Sequence, residues 1–325
     1  MTTAKLRDLK SIDDVARACG VEADFIAEYA QSEYQSHFYN FLKLPKRGKR
    51  RKGEFRVVFA AKEERLRALH RSISMVVTNS AKFGNHVQGF MKKRSTRTNA
   101  EQHLGAKVLL HADIKGFFDS ITTKHVRDTF ISDGTDVSVA ELLASACTID
   151  GLLRQGTRCS PTIANLVCHD MDQAFLRLAR AHDCVYTRYA DDITFSGESV
   201  PSDDAVQQIL ESRGFELRDG KCYRQYRGRS QFVTGLTIAD KSAPRLPKAL
   251  KRRLRMIMHY IEKFGIADHF KHAGVFDPYR EEAWLRGILI YARSIEPELV
   301  EKWQEILDRS IYDRSDYDEP IDDDY

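Results

Sequence analysis

Two short apolar runs separated by a pair of aspartates constrain this chain more than any other feature. Val185-Tyr186-Thr187-Arg188-Tyr189 and Ile193-Thr194-Phe195 read as strands, and Ala190-Asp191-Asp192 reads as the turn that joins them. Acidic pairs alone carry little weight, since Asp13-Asp14 and Asp203-Asp204 are two others. This pair differs because it is held beside a buried hairpin, where a carboxylate is costly unless a cation compensates it. A third carboxylate, Asp113, ends another apolar run, Val108-Leu109-Leu110-His111-Ala112-Asp113-Ile114. Neighbouring strands lie about 5 Å apart, so strand ends can gather all three groups.

Three carboxylates so gathered repel one another without a divalent metal. Oxygen-only ligands suit Mg²⁺, which favours carboxylate, phosphate and water. Two such ions about 4 Å apart can activate an attacking hydroxyl and stabilise a leaving pyrophosphate. Phosphoryl transfer by positioning and electrostatics is the chemistry these residue types serve.

Charge points to the same kind of partner. The chain carries 51 Lys and Arg against 47 Asp and Glu, a net of +4. Seven acidic residues and one Arg lie between positions 313 and 325, so the remainder is distinctly basic. A basic body implies a polyanion partner, nucleic acid first, with a solvated surface as the plainer reading. At 325 residues and 42% hydrophobic, the chain can build a substantial core and is neither disordered nor a disulfide miniprotein. No apolar run is long enough to span a membrane, and no apolar segment of signal-peptide type opens the chain. Cys19, Cys147, Cys159, Cys168, Cys184 and Cys222 form no Cys-x-x-Cys pair, which fits a reducing cytoplasm and cysteines acting as small hydrophobes.

Residues 1–40 read as short helices, with Ser11 and Asp14 in a capping box. Lys43, Lys46, Arg47, Lys49, Arg50, Arg51, Lys52 and Arg56 form the most basic stretch. Gly48 and Gly53 suggest a hairpin tip there, with Phe55–Phe59 returning as a strand. Residues 62–77 predict an amphipathic helix buried through Leu66, Leu69, Ile73, Val76 and Val77. A helical stretch over 164–178, a strand over 232–238 and helices beyond about 245 complete the pattern.

Taken together, these segments resemble the reverse transcriptases. Tyr189-Ala190-Asp191-Asp192 looks like their catalytic box. Asp113-Ile114-Lys115-Gly116-Phe117-Phe118-Asp119 resembles the first palm box. Gln155-Gly156-Thr157-Arg158-Cys159-Ser160-Pro161 with Asn165 resembles the Gln-Gly-x-x-x-Ser-Pro-x-x-x-Asn box, and Gly214–Leu217 with Lys221 the next. Phe55–Val58 resembles the fingers strand whose Arg grips a triphosphate. The boxes follow in family order over roughly 43–240. Two more elements are similar to those of retron reverse transcriptases. They are Asn99-Ala100-Glu101-Gln102-His103 and Val233-Thr234-Gly235. Group II intron-like enzymes and template-independent defence polymerases are the alternatives within the family. A nucleic-acid-binding scaffold with a silent site is the alternative outside it, and intact carboxylates argue against that.

The resemblance implies an α+β right-hand polymerase with an antiparallel palm sheet. N-terminal helices and fingers would occupy 1–104, the palm 105–240 with an interleaved fingers segment near 122–160, a helical thumb 241–312, and an acidic tail 313–325. Asp113 and Asp191 would be catalytic metal ligands, Asp192 a third ligand or an orienter, and Ile114 a backbone-carbonyl ligand. Arg56, Phe118, Gln155 and Tyr189 would bind the nucleotide, Phe118 lying beneath the incoming sugar and Gly156 letting backbone approach. Lys49 or Lys52 could reach the γ-phosphate. Asn99, His103, Val233, Thr234, Gly235, Lys251 and Arg255 would bind RNA or primer. Two Mg²⁺ ions and deoxynucleoside triphosphates would serve RNA-directed DNA synthesis. The template would be a cognate structured noncoding RNA, primed from an internal guanosine 2′-hydroxyl to give branched RNA–DNA. A retron effector protein in bacterial anti-phage defence, with no membrane involved, would be the further partner.

Overall fold

A computed structural model describes residues 3–45 and 53–311. The chain divides into two compact units. The first comprises residues 1–94 and 107–225, the second 95–106 and 226–325.

The first unit opens with helices α1 (Ile12–Cys19) and α2 (Ala23–Gln31). Ser11 caps α1 by accepting from the Asp14 amide, as the sequence predicts. Strands β1 (Tyr39–Pro45) and β2 (Phe55–Ala61) pair antiparallel, from Tyr39 opposite Ala61 to Pro45 opposite Phe55. The predicted hairpin tip, with Lys46, Arg47, Lys49, Arg50, Arg51 and Lys52, lies outside the described residues. Helix α3 (Glu64–Ser80) buries the predicted stripe of Leu66, Leu69, Ile73, Val76 and Val77.

In chain order, α4 (Thr96–Glu101) belongs to the second unit. The first unit resumes with β3 (Val108–Asp113), α5 (Thr123–Ser132) and α6 (Val137–Cys147). The stretch expected to be one helix over 164–178 is two helices, α7 (Ser160–Val167) and α8 (His169–Ala181), meeting at Cys168. Strands β4 (Val185–Tyr189) and β5 (Asp192–Gly197), helix α9 (Asp203–Glu211) and strand β6 (Tyr223–Tyr226) follow. The sheet order is β4-β5-β3-β6, and the β4–β5 and β3–β5 pairs are antiparallel. This antiparallel sheet with helices is the expected α+β class. One core runs through the unit, from Leu6, Val15 and Ile26 to Phe130, Phe175, Phe195 and Phe215. It is why β3 reads as an almost unbroken apolar run: Val108, Leu109, Leu110 and Ala112 are all buried.

The turn between β4 and β5 is tighter than expected. Asp192 pairs with Tyr189 and so belongs to β5, leaving Ala190 and Asp191 as a two-residue loop. Ala190 takes φ 59°, a left-handed conformation costing on the order of 1 kcal/mol for a non-glycine residue.

In the second unit, β7 (Phe232–Val233) and β8 (Leu236–Thr237) pair antiparallel. The expected strand over 232–238 is therefore a hairpin, with Thr234-Gly235 as its two-residue loop. Both loop residues have positive φ, 45° and 81°, which suits the right-handed twist of the flanking strands. Helices α10 (Lys248–Phe264), α11 (Ile266–His272), α12 (Pro278–Ile295) and α13 (Pro297–Ile311) pack on one another. Helix α10 buries Leu254, Ile257, Met258 and Ile261, one face at helical spacing. The expected boundaries at 104/105 and 240/241 differ from this division, which groups 95–106 and 226–240 with the C-terminal helices. The acidic tail lies outside the described residues. No helix among the described residues is long and apolar enough to cross a membrane.

Candidate functional site

The register of β3 against β5 sets Asp113 directly opposite Asp192. Asp191, in the adjoining loop, is tied to the same place by its backbone: its carbonyl accepts from the Ile114 amide at 3.1 Å. The three predicted carboxylates thus come from one strand end and one hairpin. Asp191 is half-buried, and desolvation first, then the charge of Asp113, pushes its carboxyl above the usual range. The guanidinium charges of Arg56 and Arg218 pull it the other way. Asp113 Oδ1 is buried and accepts no hydrogen bond, although Arg218 Nη1 stands 3.5 Å away as an ion pair.

A crowded pair of carboxylates with an unsatisfied buried oxygen is a donor set that fits a hard divalent cation. The expected threefold cluster is not preassembled, however. Among the described residues no three His, Cys, Asp or Glu side chains are gathered to hold a metal by themselves. Asp113 and Asp191 form the close pair, and the Asp192 side chain is exposed. Water or phosphate oxygens would have to complete any coordination sphere, the ordinary situation for Mg²⁺.

These carboxylates line a cavity of about 910 Å³, near the upper end of ligand-pocket sizes. Arg56, Phe118 and Gln155, three of the expected nucleotide-binding residues, line it too, as does the Ile114 backbone position. Tyr189 does not; it is half-buried at the end of β4. The cavity also takes in Lys115, Arg154, Arg218 and Lys221, of which Lys115 and Lys221 belong to motifs quoted from the sequence. Arg154 ion-pairs with Asp119 at 2.9 Å, and Lys115 with Glu216 at 2.7 Å. Phe118 stands between two other rings, 5.3 Å from Phe117 and 5.9 Å from Phe90.

Gly156 has a structural use of its own. A Cβ there would lie 2.4 Å from the Phe59 carbonyl oxygen, and its φ is +112°. The backbone that approaches is β2, whose Phe59 amide donates to the Gln155 carbonyl at 2.7 Å. The glycine therefore docks the strand carrying Arg56 onto the loop carrying Gln155.

Beneath the aspartate loop lies a buried polar network that the sequence does not reveal. Arg188 is fully buried and forms a two-pronged ion pair with Asp172, both bonds 2.8 Å. Its Nη1 also donates to the Asn165 side chain at 3.1 Å and to the Ala190 carbonyl at 3.2 Å. Tyr186 donates to Asp172 at 2.7 Å. From the other side Asn165 donates to the Gly89 carbonyl at 3.0 Å. A Cβ at Gly89 would stand 2.3 Å from the Ala190 amide. The strained loop is thus held from two sides, and Gly89 must lack a side chain for that approach.

The remaining expected RNA-binding residues lie in the second unit. Helix α4, which carries Asn99, packs on β7 and β8, and Thr234 Oγ1 donates to the Thr96 carbonyl at 2.9 Å. The Asn-Ala-x-x-His and Val-Thr-Gly elements, far apart in sequence, therefore form one block. Asn99, His103 and Val233 are buried within it, so their side chains reach no nucleic acid in this conformation. Gly235 at the hairpin tip is exposed, and Thr234 is half-buried. Lys251 is held by Glu296 at 3.2 Å, whereas Arg255 is exposed on α10.

Residues 44–238 match the family model for "Reverse transcriptase (RNA-dependent DNA polymerase)". A match over more than half of the chain, with the carboxylates gathered as described, places the protein in a class: it belongs to the reverse transcriptases, RNA-directed DNA polymerases of right-hand fold. Within that class it is a member of the retron reverse transcriptases. It is 31% identical to the retron Mx65 reverse transcriptase of Myxococcus xanthus, over 89% of this chain and 69% of that one. The retron Mx162 enzyme of the same organism is 29% identical over 79% of this chain, which spans 60% of that relative's length. The retron Ec86 enzyme of Escherichia coli is 28% identical over 80% and 82% of the two chains.

Proposed function

We propose that this reverse transcriptase copies a cognate structured noncoding RNA into single-stranded DNA, starting from the 2′-hydroxyl of an internal guanosine. The observation that carries the reading is that the close pair Asp113 and Asp191, with Asp192 beside them, line a cavity that Arg56, Gln155 and Phe118 also line. Magnesium bound by the carboxylates would supply charge neutralisation for the pyrophosphate and activation of the attacking hydroxyl. Arg56, with Lys221 and Arg218, would hold the triphosphate through its guanidinium and their positive charges. Phe118 would lie beneath the deoxyribose and exclude a 2′-hydroxyl. Gln155 would pack on the incoming nucleotide, fixed through its backbone bond to β2. In this reading the sheet unit contains the palm and fingers, and helices α10–α13 the thumb.

The block of α4, β7 and β8 supports the retron-specific part. With Asn99, His103 and Val233 inside it, the block would act through its shape and through the exposed hairpin tip at Gly235. Folded RNA is recognised largely through shape, loops and 2′-hydroxyls, which suits a preformed knob. A retron effector protein and a role in anti-phage defence follow from the resemblance to retron enzymes alone.

The test is the nucleic acid that copurifies with the protein. Sequencing it and treating it with a debranching enzyme should reveal a single RNA species joined 2′,5′ to DNA. Linear products from annealed primers only, or nucleotide addition without any RNA, would replace this reading with that of the intron-like or template-independent relatives.

A further inference from the structure

Phe90 is an aromatic residue that burial does not explain. It takes φ 61°, a left-handed conformation that strains a bulky side chain, and 45% of its surface stays exposed. Phe118 packs against the core of the same unit, whereas Phe90 stands outside that cluster. Glycine or asparagine would adopt this backbone with less strain. The ring therefore serves something other than the core.

Three sets of contacts fix its backbone. The Gln88 and Gly89 amides donate to the Arg188 carbonyl at 2.7 and 3.3 Å, and the Arg188 amide donates to the His86 carbonyl at 2.7 Å, so the segment is clipped onto β4. Asn165 holds the Gly89 carbonyl, and Gly89 passes too close to the Ala190 amide to carry a side chain. Arg94 closes the loop: its guanidinium donates to the Gly84 carbonyl at 2.6 Å, to the Phe83 carbonyl at 3.3 Å and to the Val87 carbonyl. Phe90 is thereby tied to the loop that carries Asp191.

Its ring lines the same cavity as Asp113, Asp191 and Phe118, with its centroid 5.9 Å from that of Phe118 and the planes at 53°. Phe117, buried and 5.3 Å away, backs Phe118 from the core. With Phe90 removed, the Phe118 ring would keep its core contact but gain the space that Phe90 fills. A ring excludes a 2′-hydroxyl only while it cannot yield, because the discrimination equals the cost of pushing it aside.

We propose that Phe90 is a positioning residue for sugar selection: it braces the Phe118 ring, so that the choice of deoxyribonucleotides over ribonucleotides is a property of two rings rather than one. Phe90 acts through Phe118, and its anchorage on Arg188 and Asn165 keeps the brace in register with the carboxylates. This role rests on the reading of Phe118 as the residue beneath the incoming sugar.

The test measures kcat/KM for one deoxynucleotide and its ribonucleotide counterpart on an annealed primer and RNA template, using the full chain and Mg²⁺. Wild-type extension with the deoxynucleotide, together with relaxed discrimination in Phe118→Ala, establishes the underlying reading independently. Phe90→Ala should lower discrimination about tenfold by raising kcat/KM for the ribonucleotide, while that for the deoxynucleotide stays close to wild type. Phe90→Tyr keeps the ring and should keep the discrimination. Phe90→Gly should melt higher than Phe90→Ala, because glycine takes positive φ without strain, yet discriminate equally poorly. That comparison separates the ring from the stability of the loop. Adding Phe90→Ala to Phe118→Ala should change discrimination no further. Wild-type discrimination in Phe90→Ala, equal losses toward both nucleotides, additive effects in the double variant, or discrimination that follows melting temperature would each overturn the brace. If Phe118→Ala itself discriminates like the wild type, the reading of Phe118 fails and the brace with it; if only Phe90→Ala does, the brace alone fails.

Discussion

Asp191 illustrates how one residue can be poorly placed for folding and well placed for chemistry. Burial and the neighbouring Asp113 raise its carboxyl above the usual range. A group whose folded pKa is raised supports the fold at pH below its unfolded value, and that support is lost as pH rises through the folded value. At neutral pH without metal, Asp191 therefore works against stability. Asp191→Asn should raise the melting temperature in chelator at pH 7, and the gain should shrink toward zero as pH falls below the ordinary carboxylate range. Added Mg²⁺ should raise the melting temperature of the wild type more than that of the variant. Thermal scans across pH, with and without metal, check the sign. Phe118 sets a second residue-scale expectation. Its ring is wedged between Phe117 and Phe90 at the cavity wall. Phe118→Ala should raise incorporation of ribonucleotides relative to deoxynucleotides, read from competition on one template. Unchanged discrimination in an active variant would make the ring a wall residue only.

At the scale of elements, the loop between β4 and β5 depends on groups remote in sequence. The Arg188–Asp172 pair is fully enclosed. Removing one partner leaves the other charged and alone, so Asp172→Ala should cost about 3–5 kcal/mol of stability by denaturant titration. Replacing both by apolar residues of similar volume, Arg188→Met with Asp172→Leu, should recover much of that stability but not the activity, because the Ala190 carbonyl still loses its donor. Full activity in the double variant would show that the loop holds itself. None of this network is legible in the sequence. Arg188 reads as one residue of a strand, and its acceptor lies 16 residues earlier on another element. Sequence pattern, by contrast, marks α3 and α10, each of which buries one regular face, and β3 and the β4–β5 hairpin, whose short runs are buried almost throughout. The β7–β8 hairpin reads in sequence as a single strand. Thr234 is β-branched and a poor candidate for positive φ, and the bond to the Thr96 carbonyl that holds it there is long-range. The buried state of Asn99 and His103 is hidden for the same reason: polarity suggests exposure to RNA, and only tertiary packing of α4 puts them inside.

For the whole molecule, charge is the feature that sequence conveys most ambiguously. Lys251 and Arg255 look equivalent along α10, yet Glu296 already engages Lys251. Arg255→Glu should therefore reduce the salt dependence of RNA binding, by about one in the slope of log K against log salt for each phosphate no longer neutralised. Lys251→Glu should act chiefly on stability, by setting a like charge against Glu296. Binding isotherms at several salt concentrations, alongside melting curves, separate the two. An unchanged slope for Arg255→Glu would put that residue on a face that meets no phosphate.

Asp113 and Asp191 are proposed to form the reacting centre of an RNA-directed DNA polymerase. Primer extension on a defined RNA template, with protein variants Asp113→Asn and Asp191→Asn compared at matched RNA occupancy, tests this most directly. Each variant should bind RNA with nearly wild-type affinity and make no extended DNA at any Mg²⁺ concentration. Full-length product from either variant at the wild-type rate would contradict the assignment.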